Sequence, residues 1–127
     1  MFPLVSRLLK DDAGVAAICA GRVYRHGSAP QNVVAPYVTW FIVSSVAENA
    51  LGERPRVDTY QVQVDCWSSN TGTGDSQAEQ LAEAVRDALE GVADMVGVVA
   101  NGKDFETQRF RVGMTFTFWT HRPALSS

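Results

Sequence analysis

Apolar residues recur with a helical period at the start of the chain. Leu4, Val5, Leu8 and Leu9 follow Pro3, a residue suited to a first helical turn, and Asp11-Asp12 ends the run. Asp12 can cap a second short helical segment through Val15, Ala16, Ile18 and Cys19, with Gly21 as its stop. Residues 22–25 predict a brief edge strand. From 26 to 36 the breakers Gly27, Ser28, Pro30, Asn32 and Pro36 predict a loop.

The period then changes to that of a strand. From Tyr37 to Val46 both alternating sets (Tyr37, Thr39, Phe41, Val43 and Val38, Trp40, Ile42) are largely apolar, which predicts a strand covered on both faces. After a polar connection around Asn49, Gly52, Glu53 and Pro55, residues Tyr60, Val62, Val64 and Cys66 alternate with Gln61, Gln63 and Asp65. That strand has one buried face, with Trp67 the exception on the polar side. Residues 68–74 read as a loop. Ser76 and Glu79 have the spacing of a capping box, and Ala78, Leu81, Ala82, Val85, Ala88 and Leu89 continue a helix over 75–91.

Val96 to Ala100 predicts a strand entering a two-residue turn at Asn101-Gly102. The last strand points Phe110, Val112, Met114, Phe116 and Phe118 to one side and Arg111, Gly113, Thr115 and Thr117 to the other. The fold class expected is α+β: an antiparallel or mixed sheet of four to five strands, one long helix packed on one face and a short N-terminal helical segment. The helix is expected to cross the face bearing Tyr60, Val62, Val64, Met114 and Phe116. No repeat or linker divides the chain, so residues 1–127 form a single domain on this reading.

Composition narrows the function classes. Eleven basic against 14 acidic residues give a net charge of -3, which supplies no global field for nucleic acid or anionic lipid. Cys19 and Cys66 form no C-x-x-C or Cys/His cluster, so no disulfide framework and no metal site is expected, and a reducing compartment fits. No secretion signal and no membrane span are expected, since charge interrupts every apolar run well short of ~20 residues.

Catalytic chemistry finds little support. His26 lies in a loop and His121 ends the last strand, neither within a motif; Ser28, His26 and Asp65 carry no signature of a triad. Cys66 belongs to an inward set, where a thiol packs as a small hydrophobe. Glu79, Glu83, Asp87 and Glu90 read as the solvated side of the long helix, and Gly72-x-Gly74 lacks the rest of a phosphate loop. No catalytic residue, cofactor or metal ligand is therefore assigned. The outward set of the long strands is polar yet poor in lysine and glutamate, a surface suited to another protein; a merely solvated face is the alternative. The contact candidates are Arg54, Arg56, Gln61, Gln63, Arg109 and Arg111.

The order of these features resembles the tail-completion, or tail-terminator, family of long-tailed phages, prophages and gene transfer agents. The likeness runs through the helix at Pro3 to Lys10, Gly21-Arg22-Val23-Tyr24, Pro36-Tyr37-Val38, Gln63-Val64-Asp65-Cys66-Trp67, the helix at Ala78 to Arg86, and Arg111-Val112 to Phe118-Trp119. The resemblance implies a non-enzymatic virion protein made in the bacterial cytoplasm. It would form a homo-oligomeric ring, a hexamer, on the head-proximal end of the tail tube. Its partners would be further copies of itself, the major tail-tube protein and the head-closure or connector protein, with DNA passing through the ring unread. The family offers no residue motif to carry over, so the contact candidates rest on loops and strand faces alone. Another neck protein, or a minor tail subunit, is the alternative within this class; a small α+β enzyme using Cys66 or His26 is the alternative outside it.

Overall fold

The computed structural model describes residues 2–48, 57–69 and 74–121. Two short helices open the chain, α1 (Val5–Lys10) and α2 (Ala13–Cys19), followed by strands β1 (Val23–Arg25), β2 (Tyr37–Glu48) and β3 (Val57–Trp67). Helix α3 (Gly74–Leu89) then leads into β4 (Ala93–Lys103) and β5 (Phe110–His121). The strands form one mixed sheet in the order β1-β2-β3-β5-β4, in which only the β1·β2 pair is parallel. This is an α+β fold.

Local chemistry explains most boundaries. Asp12 accepts the Val15 amide at 3.0 Å and starts α2. The helix ends at Ala20, which itself takes the left-handed conformation (φ 52°), and Gly21 continues at φ 76°. The stop therefore falls one residue ahead of the expected glycine. Ser76 and Glu79 do not form the expected capping box. The helix begins earlier, at Gly74, and the Ser76 amide bonds the Asp75 carboxylate instead. Gly74 is required there because a Cβ would lie 2.1 Å from the Ser69 carbonyl oxygen.

The turn expected at Asn101-Gly102 is absent. Both residues lie within β4, opposite Val112 and Arg111, and the chain reverses over 104–109. Asp104 organises that reversal: its carboxylate accepts the Thr107 amide at 2.9 Å and the Thr107 hydroxyl at 3.1 Å. Gln108 supplies the positive φ of 60°. An Asx-type turn thus outcompetes the Asn-Gly pair, which serves as strand.

The core gathers one side of the sheet with the helices. Buried Leu81, Val85 and Leu89 of α3 join Val62 and Val64 of β3, Met114 and Phe116 of β5, and Val5, Leu9 and Val15 of the N-terminal helices in one hydrophobic cluster. Each such side chain contributes on the order of 1.5–3 kcal/mol through burial. The Trp40 indole, in register with Val64, donates to the Ser6 hydroxyl of α1 at 2.7 Å and so fixes α1 beside β2.

β2 is covered on both faces only in its first part. Tyr37 to Trp40 are buried, but Val43, at a register shift, is 52% exposed and Ser44 and Ser45 are exposed too. The apolar Val43 does not extend the cover on both sides.

Candidate protein-contact surface

Because side chains alternate along a strand, the residues between the core positions share the other face of the sheet. Cross-strand register sets them in rows: Tyr37, Trp67 and Arg111; Thr39, Asp65 and Gly113; Phe41, Gln63 and Thr115.

The first row is aromatic and cationic. Tyr37 and Trp67 stack with centroids 5.9 Å apart and planes 9° from parallel. The Arg111 guanidinium lies 5.5 Å from the Trp67 ring centroid, and that of Arg109 lies 5.4 Å from Tyr37. Arg109 also donates to the Tyr37 hydroxyl at 3.0 Å and to the Val33 carbonyl at 3.3 Å, tying the 26–36 loop to the sheet. The Trp67 indole N–H donates to the Thr39 hydroxyl at 2.9 Å.

The second row holds a buried carboxylate. Asp65 is 4% exposed; it accepts the Gln63 side-chain amide at 3.0 Å and lies 3.9 Å from Arg111. Burial raises its pKa, and the Gln63 hydrogen bond and the Arg111 charge oppose that rise. Gly113 makes the room, since a Cβ there would lie 2.6 Å from the carboxylate oxygen.

The structure thus brings Gln63, Arg109 and Arg111 into one cluster. Gln61 is exposed further along β3, opposite Thr117, and Arg54 and Arg56 lie outside the described residues. Tyr37, Thr39 and Gly113, which are buried, and the half-buried Trp67 underlie this cluster and were not among the sequence candidates. Trp67 had a signal of its own, an aromatic residue on a polar face.

Of the groups considered for catalysis, Asp65 and His26 lie at this face, and the cysteines do not. Cys19 and Cys66 are buried and burial raises both thiol pKa values, that of Cys66 well above the usual range, so both are held protonated. His26 is exposed with its ring 5.4 Å from Phe41, and the His121 side chain lies outside the described part. Among the described residues no group of three or more His, Cys, Asp or Glu side chains could hold a metal ion, and no helix is long and apolar enough to cross a membrane. A second exposed patch, apolar in character, forms where Phe2 and Leu4 meet Val92 and Trp119.

The sequence profile of the family described as tail completion protein gp17 matches residues 3–121, which takes in every strand and helix above. The chain belongs to this family. As a tail completion protein it is a structural protein of the phage tail and neck, in the virion. A chain of the solved structure titled "Virion of native gene transfer agent (GTA) particle" has the same fold: the TM-score is 0.65 at 18% identity, over 93% of this chain and 92% of that one. No curated protein is significantly similar in sequence to this tail completion protein.

Proposed function

We propose that this tail completion protein closes into a ring, a hexamer, on the head-proximal end of the finished tail tube. There it halts polymerisation and presents a surface to the head's connector, with no enzymatic activity of its own. The family match over residues 3–121 carries the reading. The half-buried arginines on the sheet face away from the helices support it: guanidinium groups laid over aromatic rings match the composition of protein interfaces better than that of a solvated surface. Residues Gln61, Gln63, Arg109 and Arg111 are the contacts proposed from the described part, with Arg54 and Arg56 from the 49–56 connection.

Deletion of the gene tests this directly. Tails of irregular, excessive length that fail to join heads are expected, because nothing stops the tube. Tails of normal length attached to heads would rule the terminator role out. Tails of normal length that stay unjoined would favour a head-closure protein instead.

A further inference from the structure

The two ends of the sheet are unlike. At one end β4 is an edge strand, paired among the described residues only with β5, and its stretch 95–101 (Met-Val-Gly-Val-Val-Ala-Asn) contains neither charge nor proline. Val96, Val98 and Val99 are 62%, 55% and 57% exposed. Soluble proteins normally blunt such an edge with charges, proline or a covering element, because its free N–H and C=O groups invite another strand. Two register shifts, between Met95 and Gly97 and between Val98 and Ala100, interrupt its pairing with β5.

At the other end β2 outruns its neighbour. β1 pairs only with Val38, Thr39 and Trp40, and the His26 amide bonds the Trp40 carbonyl where the chain turns away. Beyond that point, over 42–48, no described strand pairs with the outer edge of β2. One sheet therefore offers two free edges of equal length, 42–48 and 95–101, and β1 blocks any partner from sliding further along β2.

Strand direction decides how these edges can meet. β3 is antiparallel to β2, β5 to β3 and β4 to β5, so β4 runs opposite to β2. Rotation about an axis along the strands keeps those directions. A neighbour's β4 would then meet β2 antiparallel, continuing the pairing that holds the sheet together.

We propose that copies of this chain join head to tail through their sheets, the outer edge of β4 on one subunit pairing antiparallel with residues 42–48 of β2 on the next. The inference rests on the ring reading above and names the contact that closes the ring. Centring the two stretches places Ser45 opposite Val98. Ser45 is in register with Tyr60, and Val98 with Met114, so both point to the helix-bearing side, and both are exposed.

The test uses cysteines at those positions in assembled tails. After mild oxidation the double variant Ser45→Cys/Val98→Cys is expected to run as a ladder of multimers ending at the ring size. Either single variant should stay monomeric, and a mixture of the two should stop at dimers. Self-cross-linking of Val98→Cys alone would mean a symmetric β4·β4 contact and would overturn the proposal. So would the absence of any cross-link in tails of normal, capped length, while leaving the ring reading intact. A second variant, Val96→Lys/Val99→Lys, should keep the wild-type melting temperature and lose rings in negative-stain micrographs. Rings formed by it as readily as by the wild type would likewise overturn the edge contact. Normal, head-joined tails in the deletion strain would instead remove the ring itself.

Discussion

Trp67 lies flat on Tyr37 across the β2·β3 boundary, 5.9 Å between ring centroids, and an arginine covers each ring. The pair joins two strands on the face away from the helices. Its strength can be isolated by a double-mutant cycle with Tyr37→Leu and Trp67→Leu. A coupling energy of about 0.5–1.5 kcal/mol is expected from urea titrations. Additive effects would show that the stack is only adjacency.

Thr39→Val removes the acceptor of the Trp67 indole N–H while keeping the shape of the side chain. A loss of about 1–2 kcal/mol in unfolding free energy is expected, as for a half-buried donor left without its partner. The tryptophan emission should change with it, because the indole N–H has lost its hydrogen-bond partner.

Gly113→Ala and Gly97→Ala separate steric need from backbone preference. At Gly113 the new Cβ would lie 2.6 Å from the Asp65 carboxylate, whereas at Gly97 it would meet nothing. Thermal unfolding should show Gly113→Ala destabilised by about 1–3 kcal/mol and Gly97→Ala within about 0.5 kcal/mol of wild type.

Asp65 sets a pH dependence. Its folded-state pKa is raised above the ordinary 3.8 chiefly by burial, so the ionised form destabilises the fold at neutral pH. That penalty falls away as pH drops through the raised folded value and is gone below the unfolded one. The stability of wild type relative to Asp65→Asn should therefore increase on acidification from pH 7 towards pH 3.8. A difference that stays constant across that range would mean that Asp65 titrates as a solvated carboxylate.

Leu81→Asp and Val85→Asp place an unpaired carboxylate in the cluster shared by α3, β3 and β5. Each should cost several kcal/mol, enough to unfold a domain of ~5–15 kcal/mol total stability. Circular dichroism with an unchanged melting temperature for either variant would contradict the burial of this stripe.

Much of the architecture could be read from single-strand and single-helix patterns. The period-two run at 60–66 and the period of α3 from Ala78 to Leu89 each record which side of an element is buried, because burial selects side chains locally along the chain. The family likeness was legible for the same reason, since it follows the order of those elements. The candidate surface was legible only in part: Gln63, Arg109 and Arg111 could be named as outward residues, but not the company they keep.

Register decided the rest. That Tyr37, Trp67 and Arg111 form one row depends on how three strands slide against one another, and β3 and β5 are separated in sequence by α3 and β4. A one-residue slip would send each side chain to the opposite face without altering any local pattern. The placement of β5 between β3 and β4 is non-local in the same sense, as is the choice of the Asp104 turn over Asn101-Gly102. The sequence by itself determined the apolar stripes of β3, β5 and α3 that are buried together. Only the tertiary structure decided which polar and aromatic residues share the face away from the helices, because pairing energy is summed over whole strands rather than carried by any one stretch of chain.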